Sequence, residues 1–241
     1  MSLGNGVKLT WFGHSTFLLE TAAGTRVMID PWITGNPRCP ERLADPGPVD
    51  AIVLSHGHGD HTADVVRLAA ERQPKAVLAM VELADWFGAQ GVAGTVGMNK
   101  GGTTELAGLR FTMTQAIHSS SVNAADGAIV YTGEPAGWVI ETESGYRIYF
   151  AGDTCVFGDM ALIGELYAPD LAMLPIGDFF TMGPREAAKA VELLGVRHVV
   201  PMHYGTFPIL TGTPEKLREE CAARGITGVT VEQFEPGETL E

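Results

Sequence analysis

The sequence predicts an α/β fold in which mixed sheets are flanked by helices. Short β-rich runs alternate with helical patterns in both halves of the chain, and no composition break or repeat separates the halves. The 241 residues are 45% hydrophobic and 19% charged, which is typical of a globular protein with one sizeable core. We therefore expect a single domain that spans residues 1–241.

The individual elements follow from periodicity and from the positions of turn residues. In the first part of the chain, strands are predicted at 7–12, 16–20 and 26–29, a loop rich in proline and glycine at 31–48, and a buried strand at 51–54. Helices are predicted at 63–71, 83–90, 184–194 and 214–224, and the last two begin at prolines, which a first helical turn accepts. The remaining predicted strands are 76–80, 103–106, 109–117, 137–141, 146–151, 171–174, 198–201 and 229–234.

Charge and cysteine content restrict the function classes. The formal net charge is −13, which repels phosphate backbones and argues against nucleic-acid binding. An anionic small substrate stays open, because bound cations reverse the local field. The three widely spaced cysteines favour a reducing compartment. Residues 1–9 lack the features of a signal peptide and no apolar run of about 18 residues predicts a membrane span, so we expect an unprocessed cytoplasmic protein.

A compact cluster of imidazole and carboxylate groups comes directly after the predicted buried strand. The pattern H-x-H-x-D-H places His56, His58, Asp60 and His61 within six positions. Imidazole nitrogens and carboxylate oxygens are the usual protein ligands of zinc and similar divalent ions. The two glycines inside the motif are expected to permit unusual backbone angles that turn the side chains toward one point. The cluster therefore predicts a metal site at the carboxyl end of a strand.

Three further potential ligands also follow apolar runs. His118 comes after the strand 109–117, Asp153 after 146–151 and His203 after 198–201. If these strands are neighbours, four strand ends bring seven ligands to one edge. Seven donors exceed the needs of one tetrahedral ion and suit two ions that share a carboxylate. For His118 and His203, spacing alone leaves a structural role equally open.

The sequence resembles the metallo-β-lactamase superfamily, whose hallmark is H-x-H-x-D-H. Within it, the chain resembles the bacterial metal-dependent hydrolases called UPF0173, which are related to ascorbate-6-phosphate lactonases and, more distantly, to N-acylphosphatidylethanolamine phospholipases D. The matching motifs run along most of the chain: W-F-G-H-S at 11–15, D-P-W at 30–32, T-G-N-P at 34–37, the histidine motif at 56–61, H-S-S at 118–120, A-G-D-T at 151–154, L-P-I-G-D at 174–178, F-T-M-G-P at 180–184 and P-M-H-Y at 201–204.

This resemblance implies a four-layer αβ/βα sandwich with two divalent metal ions at one edge. It assigns His56, His58 and His118 to a first metal site. It also implies a second metal site and one carboxylate that bridges the two ions. The second site comprises Asp60, His61 and His203, and the bridge is Asp153. Zinc is the expected metal, with manganese, iron or nickel as alternatives that the same ligands accept.

The resemblance also suggests roles for residues around the metals. Asp60 would orient the nucleophile, and His14 would donate a proton or contact the substrate, with a hydrogen-bonded structural histidine as the alternative. Asp30 is expected to hold a ligand histidine from behind, although an Asp-Pro turn is the simpler interpretation. Three residues are expected to line the substrate pocket: Asp178, Thr181 and Tyr204. Capping or loop structure is the competing explanation for the first two.

The predicted activity is hydrolysis of a small ester, lactone or phosphodiester by a hydroxide held between two metal ions. The alternative is a metal-binding protein of the same fold that is non-catalytic or redox-active. A redox site would require Glu in place of His58 and a flavin domain, and the sequence has neither. A nuclease would require additional RNA-binding segments. The expected partner is a small-molecule substrate, and the hydrophobic content is compatible with a homo-oligomer.

Overall fold

The computed structural model describes residues 3–4 and 6–241 and contains two seven-stranded sheets. The strands of the first sheet and of a small hairpin are β1 (Lys8–Gly13), β2 (Thr16–Glu20), β3 (Arg26–Ile29), β4 (Ala51–Val53), β5 (Ala76–Met80), β6 (Thr95–Met98), β9 (Ser121–Asn123), β10 (Ile129–Tyr131) and β16 (Thr239–Leu240). Those of the second sheet are β7 (Thr103–Leu106), β8 (Leu109–Gln115), β11 (Ala136–Glu141), β12 (Arg147–Phe150), β13 (Leu171–Pro175), β14 (His198–Met202) and β15 (Thr230–Val231). The helices are α1 (Gly59–Thr62), α2 (Val65–Arg72), α3 (Val81–Ala89), α4 (Met160–Tyr167), α5 (Pro184–Leu194) and α6 (Pro214–Ala223).

The two sheets have the same internal plan. The first has the order β16-β1-β2-β3-β4-β5-β6, and the second has the order β7-β8-β11-β12-β13-β14-β15. In each sheet, the first three pairings in these orders are antiparallel and the last three are parallel. Strands β1, β3 and β4 therefore end at one edge of the first sheet, and β8, β12 and β14 end at one edge of the second.

Alternating side chains of β12 show how the layers pack. Ile148 and Phe150 enter the large core that also contains strands of the first sheet, whereas Tyr149 and the following Ala151 pack with helices α4, α5 and α6. This two-residue alternation is the property that lets one strand serve two layers. Helices α2 and α3 cover the outer face of the first sheet with buried side chains such as Leu68. The four-layer α/β/β/α arrangement confirms the predicted fold class.

Two hydrogen bonds join the sheets next to the histidine motif. The Ala136 backbone N–H donates to the carbonyl of Ser55 at 2.8 Å, and the buried indole Nε1 of Trp138 donates to the carbonyl of Leu54 at 2.9 Å. The chain that leaves β4 is thereby fixed against β11 of the other sheet. Because buried backbone groups need partners, these bonds determine where the residues that follow β4 lie.

Several predicted elements differ from the observed ones. The helix predicted at 63–71 is α2 at 65–72, and a short unpredicted helix, α1, precedes it and begins inside the metal motif. The strand predicted at 229–234 contains only Thr230–Val231, and the strand predicted at 109–117 ends at Gln115. Elements absent from the prediction are β6, β9, β10, β16 and α4, which are short or lack a clear period. Among the described residues, no helix is both long and apolar enough to cross a membrane.

Candidate metal centre

Each predicted ligand lies just beyond the carboxyl end of a strand. His14 follows β1, Asp30 follows β3, the histidine motif follows β4, His118 follows β8, Asp153 follows β12, and His203 follows β14. We considered these strands as neighbours in the sequence analysis, but half of them belong to each sheet. The side chains meet because the same edges of the two facing sheets adjoin. The structure brings all seven predicted ligands together, and it adds His14 and Asp30 to the group.

One set of ring nitrogens comes from three histidines. Atoms of His56, His58 and His118 lie within 4.8 Å of one another, and His56 Nε2 is 2.9 Å from His58 Nδ1. His58 Nε2 in turn lies 3.4 Å from the hydroxyl of Ser119, which can hold a proton there and leave Nδ1 free as a donor to a metal. Three neutral imidazoles that face one point fit the geometry of a zinc-type site.

A second set combines a carboxylate with imidazoles. Atoms of Asp60, His61, His203 and His14 also lie within 4.8 Å of one another. His61 and His203 are almost entirely buried, whereas the side chain of Asp60 is 32% exposed. Solvent therefore reaches this set at Asp60.

Asp153 lies between the two sets. Its Oδ2 atom is 3.0 Å from His203 Nε2, 3.3 Å from His61 Nε2 and 3.7 Å from His118 Nε2. The other oxygen, Oδ1, is buried and has no hydrogen-bond partner. A carboxylate that contacts members of both sets is placed where a bridging ligand would be required.

The donor set fits bound divalent metal. His61 Nε2 and Asp153 Oδ1 are buried without hydrogen bonds, although buried polar atoms are nearly always satisfied. An uncompensated carboxylate in a closed site is costly, and a bound cation offsets that cost. The unpartnered atoms belong to the same residues whose nitrogen and oxygen donors converge, so the residues present are suited to hold metal.

A fully buried carboxylate holds the cluster from behind. Asp30 Oδ2 is 2.7 Å from His61 Nδ1 and 2.5 Å from the hydroxyl of Ser55, and Asp30 Oδ1 accepts the Ser55 N–H at 2.7 Å. The same hydroxyl lies 2.9 Å from His56 Nδ1. Because the hydroxyl donates its one proton to the carboxylate, it accepts from His56 Nδ1–H, and both histidines direct Nε2 inward. This is the position predicted for Asp30.

Electrostatic effects favour the ligand form of most of these side chains. His61 is the exception, because burial would lower its pKa but Asp153 and Asp60 outweigh burial and raise it, so a proton must leave that imidazole when it binds a metal. Burial lowers the pKa values of His56, His58 and His118, which keeps their imidazoles neutral. Burial alone would raise the pKa of Asp153, but His203 and His61 outweigh it and lower that pKa. Neutral imidazoles beside an ionised carboxylate are the protonation states in which these groups bind cations.

His14 is a buried neutral imidazole in the left-handed backbone region, with φ of 57°. Burial lowers its pKa to about 4, although Asp60 opposes the shift. Its Nε2 lies 3.1 Å from Asp60 Oδ2, and its Nδ1 lies 2.9 Å from Thr206 Oγ1. The Asp60 carboxylate can only accept, so the single imidazole proton is assigned to Nε2, and Nδ1 accepts from Thr206. His14 thus holds a proton beside the exposed carboxylate.

The residues predicted to line the pocket make contacts of a different kind. Asp178 is exposed with φ of 67° and accepts the backbone N–H of Phe179, while Thr181 Oγ1 donates to the carbonyl of Met182. These bonds close the turn after β13. The ring of Tyr204 lies 5.3 Å from that of Trp11, and burial raises the pKa of its hydroxyl. Such contacts favour structural roles, and the substrate contacts predicted for these residues stay predictions.

Sequence reasoning missed several residues that support the site. Ser55 directly precedes the histidine motif, and its hydroxyl contacts both Asp30 and His56. Asp64 is buried and accepts hydrogen bonds from Ile33 N at 2.5 Å, from Thr34 N at 2.7 Å and from Arg67 Nε at 2.8 Å, which fixes the loop after Asp30 to α2. Its place three positions after the motif was the only available indication.

The explanation given for the motif glycines was wrong. Neither Gly57 nor Gly59 has a positive φ. A Cβ atom on Gly57 would collide with Thr132 Oγ1 and lie 3.0 Å from the carbonyl oxygen of Ser121, whereas nothing lies within 4 Å of one on Gly59. Gly57 is required because the hairpin that contains β9 and β10 packs against the motif backbone.

Comparisons with known proteins agree with this architecture. Residues 25–204 match the family model of a beta-lactamase superfamily domain. A UPF0173 metal-dependent hydrolase of Rubrobacter xylanophilus is 50% identical over 236 residues, which cover 98% of this chain and 96% of the relative. A UPF0173 metal-dependent hydrolase of Methanosarcina barkeri is 46% identical over 236 residues, with 98% and 99% covered. Igni18, a metallo hydrolase of Ignicoccus hospitalis, has a TM-score of 0.84 and 36% identity over 97% of both chains.

The two sheets and the histidine–aspartate cluster define a protein of the beta-lactamase superfamily, and the match over residues 25–204 agrees. Within that superfamily, the chain belongs to the UPF0173 metal-dependent hydrolase family, because relatives so named match nearly its whole length at 46–50% identity. The resemblance seen in the sequence motifs is thereby confirmed.

Proposed function

We propose that this chain is a hydrolase that acts with two divalent metal ions. His56, His58 and His118 would hold one ion, and three further residues would hold the other, with a shared carboxylate between them. The second set comprises Asp60, His61 and His203, and the shared carboxylate is Asp153. The observation that carries the proposal is the position of Asp153 Oδ2, within 3.0–3.7 Å of nitrogens from both sets.

The chemistry would divide between the ions and the protein. A bound pair of divalent ions makes a water molecule acidic enough to act as a nucleophile near neutral pH and polarises a carbonyl or phosphoryl oxygen. Asp60, which is both a proposed ligand and the exposed member of its set, would orient the attacking water. His14 is a neutral imidazole, so it would donate a hydrogen bond from Nε2 to a substrate oxygen beside Asp60, and the departing oxygen would take the proton that the attacking water gives up.

The name shared by the relatives supports hydrolysis as the reaction class. A carboxyl ester, a lactone or a phosphodiester would each present an oxygen that these ions can polarise. An open cavity of about 380 Å³ adjoins His118 and is lined by Ser119, Ser121 and Tyr131, so the metal centre has room for a small molecule beside it. We propose that the protein acts in the cytoplasm, as expected from its free cysteines.

The first test is the metal content of protein purified without added metal. We expect close to two ions per chain by elemental analysis, and about one fewer in each of the variants His118→Ala and His203→Ala. The variant His198→Ala is the control. The Nε2 atom of that histidine lies 2.6 Å from Glu232 Oε1, and His198 does not belong to the cluster. Full occupancy in either of the first two variants would remove that residue from the ligand set.

The second test is turnover of a panel of lactones, carboxyl esters and bis-p-nitrophenyl phosphate. We expect hydrolysis of at least one compound, loss of activity after chelation, and a fall of at least about 100-fold in kcat for Asp60→Asn. Activity that Asp60→Asn and chelation leave unchanged would contradict the proposed mechanism. A fully metal-loaded protein without hydrolytic activity would favour the non-catalytic or redox alternative.

A further inference from the structure

Two aromatic rings form a wall beside the exposed end of the metal centre. Trp32 follows β3 and Phe207 follows β14, and their rings are stacked with centroids 6.1 Å apart and planes 29° from parallel. Both rings meet the edge of His14, at centroid distances of 5.3 and 6.0 Å. We call this pair the aromatic wall.

The aromatic wall is partly open to solvent although it is apolar. Phe207 is 37% exposed and Trp32 is half-buried. Ile209, two positions further along the same loop, is 43% exposed. Aromatic rings of this size are usually buried, and an exposed apolar cluster beside a reactive centre is typical of a binding surface.

The aromatic wall contacts the same histidine that contacts Asp60. Asp60 is the solvent-accessible member of its set, and it lies 3.1 Å from the His14 nitrogen that carries the proton. The wall packs against that same imidazole. Trp32 and Phe207 therefore lie one imidazole ring away from the exposed carboxylate.

Within the described part of the chain, the carboxylates of the cluster pair only with histidines. Across residues 3–4 and 6–241, no lysine or arginine forms an ion pair with Asp60 or Asp153. Arg38, which lies on the loop that carries Trp32, is paired with Glu235 at 2.9 Å. The nearby arginine is thus already paired, whereas a flat apolar group would find a matching surface on Trp32 and Phe207.

We propose that the substrate carries an aryl or arylalkyl group on the side of the scissile bond next to His14, and that this group packs on Phe207 and Trp32. The inference rests on the proposed function, because it places the reacting carbonyl at the metal centre. It narrows the substrate from esters and lactones in general to those with a flat apolar substituent.

The test compares the affinities of phenylacetate and acetate for the metal-loaded protein by calorimetry. Both carry a carboxylate that can meet the ions, and only phenylacetate reaches the wall. We expect phenylacetate to bind at least about tenfold more tightly, since burying one phenyl ring contributes that much or more. Phe207→Ala should reduce the ratio below about threefold, whereas Phe207→Leu should retain an intermediate ratio.

The control variant is Leu166→Ala, which removes a 68% exposed apolar side chain from α4 and should leave the ratio unchanged. Equal affinities in the natural protein, or a ratio that Phe207→Ala and Phe207→Leu both preserve, would overturn the inference. Turnover of phenylacetyl and acetyl esters is measured in parallel. A tenfold ratio without turnover of any ester would reject the hydrolase proposal alone, and turnover with equal affinities would reject the aromatic-group inference alone.

Discussion

The Ser55 hydroxyl lies 2.5 Å from Asp30 Oδ2 in a region closed to solvent. Through this contact, one carboxylate orients two histidines that belong to different ligand sets. His61 is held directly, and His56 is held through the serine. The two proposed ions therefore share a support that lies behind both of them.

Replacing Asp30 and Ser55 separately should distinguish their effects. We expect Asp30→Asn to lower the affinity of the protein for both ions by about 10- to 100-fold, because an amide cannot accept hydrogen bonds from both Ser55 and His61 as the carboxylate does. Ser55→Ala should lower the affinity only for the ion at His56, and Ser55→Thr should restore that affinity. The measurement is competition with a chromophoric chelator, with circular dichroism to verify folding. Equal weakening of both ions in Ser55→Ala would show that the serine acts on the fold as a whole.

A pair of glycine variants tests the packing of the motif. Gly57→Ala should displace the motif from the β9–β10 hairpin, lower metal content and destabilise the protein by about 1–3 kcal/mol, the usual cost of overpacking. Gly59→Ala is the matched control, since a Cβ there meets open space. Metal analysis and urea unfolding of the two variants provide the comparison. Similar behaviour of both would show that the hairpin adapts to the added methyl group.

Removal of the His14 imidazole should affect catalysis more than metal binding. We expect His14→Gln to lower kcat by about 10²-fold or more, as for the displacement of one hydrogen-bond donor to an oxyanion, with two ions still bound. Thr206→Val should lower kcat less, because it removes only the hydroxyl that fixes Nδ1. Steady-state kinetics and elemental analysis report on both quantities. Loss of one ion from His14→Gln would instead assign that histidine to the ligands of the second set.

Stability should depend on pH through Asp64. Burial would raise the pKa of this carboxyl, but hydrogen bonds from Thr34 and Ile33 and the contact with Arg67 outweigh it and lower the pKa. The carboxylate thus stabilises the fold above its unfolded pKa of about 4, and this contribution is lost as pH falls through the lower folded value.

Asp64→Ala should therefore cost about 2–4 kcal/mol in the free energy of unfolding at pH 7, because it leaves buried donors unsatisfied, and less near pH 3. Urea unfolding at both pH values measures the difference. Asp45→Ala is the control: Asp45 is 69% exposed and pairs with Arg72 on the surface, so its effect should stay below about 1 kcal/mol. A cost for Asp64→Ala that is the same at both pH values would refute the ionic origin of the effect.

The sequence predicted which side chains converge because their positions follow a local rule. His118, Asp153 and His203 each come just after an apolar run, and a strand that ends there leaves its next side chains at a sheet edge. The resemblance to the metallo-β-lactamase superfamily then implied which of these residues share a metal site. Spacing could not show that the edges belong to two sheets, because strand order depends on contacts between residues far apart in the chain.

Other features were invisible for physical reasons. The need for glycine at position 57 arises from Ser121 and Thr132, which approach from more than sixty residues away. Phe207 and Trp32 became candidates only when the structure stacked their rings beside His14. A serine hydroxyl or an exposed ring has no characteristic sequence pattern, so its role depends on which neighbours the fold supplies.

The shared plan of the two sheets has a consequence for how this molecule holds together. With the proposed ligand sets, each ion joins groups from both halves: His56 and His58 with His118, and Asp60 and His61 with His203. Each cation would cross-link the two sheets at their interface, and tight binding to the native state would add to the free energy of unfolding of the whole chain. In the proposed sets, neither half alone supplies all the donors of either ion.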